Sequence, residues 1–332
     1  MTEMITNNRV QQLLEGFAGL RILVVGDVML DEYVWGRVSR ISPEAPVMVV
    51  EAERHTYVPG GAANVVNNLC ALGARTTITG LIGDDDAGSI LSEKLQEEGA
   101  DISGLVSTSL RPTTRKTRII AHSQQVVRVD HERRGALDQA SAGQIIRYLE
   151  TAIPECDALV LSDYQKGVLS DEVVAAAVGM ARKMGKIVTG NLKPQAIGPH
   201  CRLTVITLNL AEAKAASGLN LDDDVNAERL RASGALLLDR TGADHILITR
   251  GAQGLTLFSA DGSETTVPAH PVEVYDVAGA GDTVISTLTM ALAVGATPVE
   301  SVTLANFAGA VVVKKVGVAT VSRDEILHAV NG

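Results

Sequence analysis

Short apolar runs alternate with longer segments of helical period along most of the chain. The runs are nearly all apolar, as in parallel strands covered on both faces, and lie at residues 21–26, 76–80, 157–161, 186–189, 203–208 and 245–249. Between them, segments such as 89–99, 171–184 and 226–238 carry apolar residues at helical spacing. Strands that alternate with helices predict an α/β fold, with a doubly wound, mostly parallel sheet flanked by helices.

Two stretches, at about residues 32–57 and 103–132, interrupt this alternation. Within them, residues 47–51, 113–121 and 126–130 alternate apolar and polar positions in places, without an intervening helical segment. The pattern predicts a small antiparallel sheet that is inserted into a single domain spanning residues 1–332. Such a sheet is a lid that excludes water from a site, a dimer surface, or an ordinary extension of the sheet edge.

Composition narrows the classes of function. Of the 332 residues, 46% are hydrophobic, which is ample for a sizeable core. The net charge is −10 and no long basic run exists, so no nucleic-acid partner is expected. Three widely spaced cysteines, Cys70, Cys156 and Cys201, indicate reduced, mostly buried thiols. The sequence lacks a secretory signal and any run of ~20 apolar residues, so a cytoplasmic protein without a membrane partner is expected.

A glycine-rich turn carries the strongest chemical signal. Residues 276–282 read Asp-Val-Ala-Gly-Ala-Gly-Asp and precede a helical segment. Gly279 and Gly281 can adopt backbone angles closed to other residues, so consecutive N–H groups can converge on an anion at the positive end of that helix. Asp282 would compete with a bound phosphate unless it has its own task, such as receiving a proton from an attacking hydroxyl. A capped helix after a tight turn is the alternative.

Other polar positions fit a polyol ligand. Gly60 and Gly61 let backbone approach a ligand closely, and Asn64, at the start of the next helical segment, offers a donor and an acceptor to a hydroxyl. Asp27 and Asp31 flank the exit of the first predicted strand, where open α/β sheets bind ligands. Taken singly, these positions are also explained by an ordinary entry into a helix and by solvated loop acids.

Two familiar nucleotide-binding loops are absent from the sequence. A Walker A loop needs Gly-Lys followed by Ser or Thr, but the Gly-Lys pair at 185–186 is followed by Ile187. A dinucleotide fingerprint needs three spaced glycines, but only Gly26 closes the first strand, and the third position of the later glycine series is Val284. The sequence therefore argues against a P-loop enzyme and against a dehydrogenase.

The order of these parts resembles the PfkB family of ribokinase-like carbohydrate kinases over essentially the whole chain. The signature regions are matched at residues 60–64 and 276–282. The resemblance implies a ribokinase-like fold with a β lid, and Asp282 as catalytic base. It further implies an anion hole for the transferred phosphoryl group, formed by the N–H groups of Gly279, Ala280 and Gly281. It also implies ATP and Mg²⁺ as cofactors, with Glu212 acting on the metal indirectly; the ATP-site positions are Lys193, Asn209, Glu212, Thr249, Gly251 and Asn306.

Two positions depart from the family pattern. Asn191 stands in place of the usual Asp of an Asp-Pro-Lys segment, so a charge that orders metal-bound water is missing. Val277 stands where many members have Thr, which weakens the inference of a bound monovalent cation.

A narrower resemblance links the chain to bacterial D-glycero-β-D-manno-heptose-7-phosphate kinases of lipopolysaccharide inner-core synthesis. It rests on residues 26–31, 39–47 and 162–167. A phosphorylated sugar requires cations, which the lid strands can aim at one ligand through their alternation; exposed charges on a small sheet are the alternative. The substrate-binding residues implied are Asp27, Asp31, Gly60, Gly61, Asn64, Lys116, Arg118, Arg128 and Lys166.

These features predict transfer of the γ-phosphoryl group of ATP to O1 of D-glycero-D-manno-heptose 7-phosphate, giving the 1,7-bisphosphate, by a homodimer joined through the lid. Another sugar or sugar-phosphate kinase, acting on ribose or a ketohexose phosphate, and a non-catalytic sugar-phosphate-binding regulator are the alternatives. In some relatives the kinase is fused to a nucleotidyltransferase. Here residues 321–328 form the last helical segment, so a one-step enzyme is expected.

Overall fold

The computed structural model describes residues 5–122, 124–221 and 226–331. The strands are β1 (Arg21–Gly26), β2 (Val28–Ile41), β3 (Met48–Gly61), β4 (Arg75–Gly83), β5 (Asp101–Thr108), β6 (Arg115–Ala121), β7 (Gln124–His131), β8 (Ala158–Ser162), β9 (Ile187–Asn191), β10 (Val205–Asn209), β11 (His245–Thr249), β12 (Leu255–Ser259) and β13 (Glu264–Val267). The helices are α1 (Asn7–Gly16), α2 (Ala62–Ala71), α3 (Asp86–Glu97), α4 (Gln139–Glu155), α5 (Asp171–Lys183), α6 (Leu210–Ser217), α7 (Ala227–Thr241), α8 (Ala280–Ala293), α9 (Pro298–Val312) and α10 (Arg323–Asn331). Both ends of the expected domain, at residues 1–4 and 332, and Ser123 of the expected lid lie outside the described residues.

Nine strands form the main sheet in the order β13-β12-β11-β10-β9-β8-β1-β4-β5. The seven strands from β11 to β5 pair in parallel, and β12 and β13 add an antiparallel edge. From β1 the chain moves outward to β4 and β5, and then restarts at β8 on the other side of β1. The strand order therefore reverses between β1 and β8, which is where open α/β sheets bind ligands at the carboxyl ends of their strands. The predicted mostly parallel α/β fold is confirmed.

Apolar cores cover both faces of the main sheet. Along β1, Leu23 and Val25 face one core while Ile22 and Val24 face the other, because successive side chains of a strand point to opposite sides. Helices α4 to α7 cover the first core, and α1, α2, α3, α8, α9 and α10 cover the second. This burial on both faces explains the nearly continuous apolar runs in the sequence.

The small sheet, called the lid below, has the order β3-β2-β6-β7. The expected small sheet is present, and its pairs β2–β3 and β6–β7 are antiparallel as predicted. The pair β2–β6 at its centre is parallel, which the sequence pattern did not predict. The expected lid boundary at residue 103 is also wrong, because β5 pairs with β4 at the edge of the main sheet. An edge strand buried on one side alternates in the same way as a lid strand, so the sequence pattern could not separate the two.

Strands β8 and β9 of the main sheet end in polar residues that the hydrophobic pattern does not detect. Residues 157–161 and 186–189 were expected as strands, whereas β8 and β9 run on to Ser162 and Asn191. The three cysteines are free, and burial raises the pKa of the Cys156 and Cys201 thiols to about 11, as expected for unreactive thiols. Within the described ranges, no helix combines the length and apolar character that crossing a bilayer requires.

Candidate active site

Asp282 is a buried carboxylate at the centre of the candidate site. It lies in the first turn of α8 and is 4% exposed. Asn64 donates a hydrogen bond to its Oδ2 at 2.6 Å, and the Tyr164 hydroxyl donates to its Oδ1 at 2.7 Å. Burial raises the pKa of Asp282 to about 6, against the lowering effect of these two donors and of Lys193. The carboxylate is therefore mostly ionised at pH 7 and is oriented from both sides.

The turn before α8 presents backbone to solvent. Gly279 caps the helix at φ +77°, in the left-handed region, and a Cβ there would lie 3.1 Å from Asn64 Nδ2. Gly281 is exposed, and Gly279 and Ala280 are partly exposed, at the positive end of a 14-residue helix. The Ala280 N–H donates to the Val277 carbonyl at 3.3 Å. The turn is exposed enough for a phosphate to reach its backbone, but the Ala280 N–H already donates within the turn. The anion hole at Gly279, Ala280 and Gly281 stays a prediction.

Buried polar contacts lock α2 against α8. Thr283 Oγ1 donates to Asn68 Oδ1 at 2.7 Å, and Asn68 Nδ2 donates to the Asn64 carbonyl at 2.9 Å. Since buried polar groups are costly unless bonded, these contacts fix the position of Asn64 relative to Asp282. The two signature motifs, 218 residues apart at Asn64 and Asp282, therefore meet in one site.

Asp27 anchors the loop that follows β8. Its carboxylate accepts hydrogen bonds from the N–H groups of Tyr164, Lys166 and Val168, each at 2.9 Å, and the residue is 1% exposed. Burial raises the pKa of Asp27, and the three N–H donors oppose that rise. Asp27 thus positions two residues of the site through their backbone. Its predicted contact with substrate hydroxyls stays a prediction.

Asp31 lies beside the glycine pair at the base of the lid. A Cβ on Gly60 would lie 2.4 Å from Asp31 Oδ2, so a side chain at this position would force the carboxylate to move. Gly61, at φ +60°, caps α2. Arg118 donates to Asp31 Oδ1 at 2.5 Å, and its guanidinium lies 5.2 Å from the centre of the Tyr33 ring. Asp31 and Gly60 are thus brought next to a lid cation; their contacts with substrate stay predictions.

A charged cluster occupies one face of the lid, which we call the inner face. Strand register places Lys116 opposite Asp130 and Arg118 opposite Arg128 on this face, with Asp31 beside Lys116. The cluster reaches the main domain through Lys166, whose Nζ lies 2.6 Å from Glu132. Its members are the cations Lys116, Arg118, Arg128, Arg134 and Lys166 and the carboxylates Asp31, Asp130 and Glu132.

The predicted nucleotide residues lie at the carboxyl ends of β9, β10 and β11. Asn209 pairs with Thr249 in strand register and caps α6, where it forms a reciprocal capping box with Glu212. Glu212 also forms an ion pair with Lys193, whose Nζ lies 5.5 Å above the Tyr164 ring. The structure therefore brings Lys193, Asn209, Glu212 and Thr249 together at this edge, and Lys193 lies close enough to Asp282 to lower its pKa. Their ATP contacts stay predictions.

Three further positions border this edge. Gly251 begins a tight turn at φ +54° and is exposed. Asn306 is buried on α9, and its amide donates to the Pro268 carbonyl at 2.8 Å. Asn191 lies at the end of β9, with its Nδ2 3.8 Å from the point where a Cβ on Gly281 would lie. Its Oδ1 is buried and has no hydrogen-bond partner among the described residues.

Sequence reasoning missed Tyr164. The segment 162–167 was recognised as a motif, but only Lys166 was taken from it. The available signal was position: Tyr164 follows a buried strand by two residues, at the ligand-binding edge of the sheet. Its bond to Asp282 spans 118 residues of sequence, which no local pattern reveals.

Two curated proteins are similar to most of this chain. "Bifunctional protein HldE" of Desulfatibacillum aliphaticivorans is 44% identical over 310 residues, which are 93% of this chain and 63% of that protein. The protein of that name from Citrifermentans bemidjiense is 43% identical over 321 residues, 97% of this chain and 65% of its own length. The chain therefore spans less than two thirds of the length of these curated relatives.

Solved structures share the fold at low sequence identity. Phosphofructokinase-2 of Escherichia coli in complex with potassium has a TM-score of 0.76 at 19% identity, covering 95% of this chain and 98% of that one. Ribokinase of Arabidopsis thaliana complexed with ribose and ATP has a TM-score of 0.72 at 16% identity, covering 95% and 99%. A family model described as pfkB family carbohydrate kinase matches residues 20–325. The chain belongs to this family.

Proposed function

We propose that this kinase transfers the γ-phosphoryl group of ATP to O1 of D-glycero-D-manno-heptose 7-phosphate, giving the 1,7-bisphosphate in the pathway to ADP-heptose and the lipopolysaccharide inner core. The observation that carries the proposal is the position of Asp282. This carboxylate lies between the predicted sugar residues and the predicted nucleotide residues, at the N-terminus of α8. The heptose itself is taken from the narrower resemblance of the lid and of residues 162–167.

In this proposal Asp282 orients the acceptor hydroxyl and receives its proton. Asn64 and Tyr164 each use one lone pair of the carboxylate, which leaves lone pairs on both oxygens for the incoming hydroxyl. The O1–H bond breaks as O1 bonds to phosphorus, while the bond from phosphorus to the bridging oxygen of ADP breaks. Backbone N–H groups of the turn at 279–281 stabilise the negative charge on the transferred group.

We expect Mg²⁺ to enter with ATP. Among the described residues, no group of three or more His, Cys, Asp or Glu side chains is arranged to hold a metal. Mg²⁺ keeps several waters and is usually bound by substrate phosphates with one or two carboxylates. Glu212 and the unpartnered Oδ1 of Asn191 are oxygen donors that fit this ion, directly or through water. When bound, the ion neutralises charge on the phosphates.

The inner face of the lid supports a phosphorylated sugar rather than a free one. The charged cluster on this face, together with Lys166 of the main domain, has five cations and three carboxylates, an excess of two positive charges in a chain of net charge −10. Burial would raise the pKa of Glu132, but hydrogen bonds from Lys166 and Arg134 outweigh it and lower that pKa, so the carboxylate remains charged. The excess cations match the charge of a phosphate ester near pH 7.

A substrate panel tests both parts of the proposal. ADP release is measured with the heptose phosphate, ribose, fructose 6-phosphate and the unphosphorylated heptose, and phosphorus NMR locates the new phosphate. We expect the heptose phosphate to give the highest kcat/KM and an O1 phosphate. Preference for ribose or a ketohexose phosphate would contradict the heptose assignment, and binding without ADP release would indicate a regulator.

Lys116→Met is expected to lower kcat/KM for the phosphorylated heptose by about 10- to 100-fold, because a charge-assisted hydrogen bond is lost. The value for the unphosphorylated heptose should change by less than about twofold. Lys94→Met, which removes an exposed Lys–Glu pair on α3, is the matched control. An equal loss on both sugars would show that Lys116 does not contact the phosphate.

We also propose that two copies associate through the outer face of the lid. Strand register places Val127 opposite Ile119 and Val129 opposite Thr117, on the face away from the charged cluster. Val127 and Val129 are 45% and 53% exposed, so a second copy would bury apolar area that water now contacts.

Val129→Lys should give a monomer by light scattering, whereas Met184→Lys, at an equally exposed site on the main domain, should not. An unchanged mass for Val129→Lys would contradict this interface.

A further inference from the structure

The hydroxyl of Tyr164 is bonded directly to the candidate base. It donates to Asp282 Oδ1 at 2.7 Å, on the side of the carboxylate opposite to Asn64. The Lys193 ammonium, which belongs to the predicted nucleotide residues, lies 5.5 Å above the Tyr164 ring. Tyr164 therefore contacts both Asp282 and the cation of the Lys193–Glu212 ion pair.

The backbone around Tyr164 is held in one conformation. Its N–H donates to Asp27, and the next residue, Gln165, adopts φ +58°, which is uncommon for a residue with a side chain. The Gln165 N–H donates to Asp163 Oδ1 at 2.8 Å, and the other oxygen of Asp163 accepts from the Lys193 N–H at 3.0 Å. Left-handed backbone at a non-glycine residue persists only where its surroundings impose it, and such residues cluster at functional sites.

We propose that Tyr164 is a positioning residue for phosphoryl transfer, whose hydroxyl holds Asp282 in the orientation and the ionised form that accept the proton of the acceptor hydroxyl. The inference rests on the proposed function, because it takes Asp282 as the base. Tyr164 does not itself take the proton.

The charges around the pair support this division of roles. Burial, and next the charge of Asp282, raise the pKa of Tyr164 well above its usual range, so the phenol remains a donor at working pH. Lys193 favours the ionised form of Asp282, and Asp31 opposes it. Glu212 lies close enough to raise the pKa of Tyr164 further. Among the described residues, Tyr164 and Asn64 donate hydrogen bonds to Asp282.

The first test measures the pKa of Asp282 in the free protein, without substrate. Protein labelled with ¹³C at aspartate carboxyls is titrated by NMR, and the resonance of Asp282 is identified by its loss in Asp282→Asn. Tyr164→Phe removes one donor to the charged form, so the pKa of Asp282 should rise by about one unit. Tyr148→Phe loses a hydroxyl bonded to Ser103 and serves as the control, with no shift. An unchanged pKa in Tyr164→Phe would overturn the proposal.

The second test follows kcat/KM with pH. In Tyr164→Phe the acidic limb should move upward by about one unit, giving about a tenfold loss at pH 5 and near-normal activity at pH 8.5. Substitution of 3-fluorotyrosine at position 164, a stronger donor that keeps the ring, should move the limb downward, and it carries the test if the Phe variant does not fold. A loss of equal size at every pH would mean a structural role only. If the unmodified enzyme transfers no phosphate to any sugar, the proposed function fails, while the NMR titration still decides whether Tyr164 controls Asp282.

Discussion

Asp282→Asn is expected to lower kcat by about 10²- to 10⁴-fold while ATP and the sugar phosphate still bind. The amide keeps the shape of the carboxylate and can still accept from Asn64, but it cannot receive a proton. Single-turnover phosphoryl transfer and separate binding titrations measure the two effects. Asp239→Asn, at an exposed position of α7, is the control. Near-normal turnover in Asp282→Asn would refute Asp282 as the base.

The same variant should be more stable than the natural protein at pH 7. Burial raises the folded-state pKa of Asp282 from an ordinary value of 3.8 to about 6. The folded protein therefore binds more protons than the unfolded chain between these values, and stability falls as pH rises through that window. Asn removes the buried charge, with an expected gain of about 1–2 kcal/mol at pH 7 that disappears near pH 3.5. Chemical denaturation at the two pH values measures this difference.

The wild-type pH profile follows from the same carboxylate. Because the base must be ionised, kcat/KM should rise with pH through an apparent pKa of about 6 for the free enzyme. ATP adds negative charge beside Asp282, which raises its pKa, so the acidic limb of the kcat profile should lie at a higher pH than that of kcat/KM.

The sequence predicted those parts of the fold that depend on local pattern. Apolar runs such as that of β1 are buried on both faces in the structure, and their alternation with helices was sufficient for the α/β class. The signature motifs at Asn64 and Asp282 were also sufficient to identify the carbohydrate kinase family. In both cases the information lies within a few neighbouring residues.

Other parts depend on contacts between distant segments. Strand β5 alternates like a lid strand, and only its pairing with β4 places it in the main sheet. Tyr164 reaches Asp282 because the loop after β8 is fixed to Asp27. Three backbone N–H groups of that loop donate to the Asp27 carboxylate. Neither the secondary-structure propensities nor the motif spacings of the sequence predict these contacts, because the contacts arise from the order of strands in the sheet.

The second large expected effect is a loss of stability when Asp27 is replaced. Asp27→Ala removes the acceptor of three backbone N–H groups, two of them buried and one partly buried, and each that is left without a partner costs about 1–3 kcal/mol. Allowing for relaxation and for the desolvation of the carboxylate, we expect a loss of about 4 kcal/mol in the free energy of unfolding. Urea denaturation at pH 7 measures it, with Asp239→Ala as the control.

A series at position 27 separates anchoring of the loop from contact with substrate. In Asp27→Asn the amide oxygen can replace Oδ2 for Tyr164 and Lys166, but the NH₂ group then faces the Val168 N–H, so we expect about half of the loss seen with Ala. Activity should fall in the same order, because the displaced loop carries Tyr164 away from Asp282. If Asp27 served only to bind the sugar, both variants would unfold at the wild-type urea concentration and only KM for the sugar would rise. Unfolding midpoints and KM measured on the same samples decide between these roles.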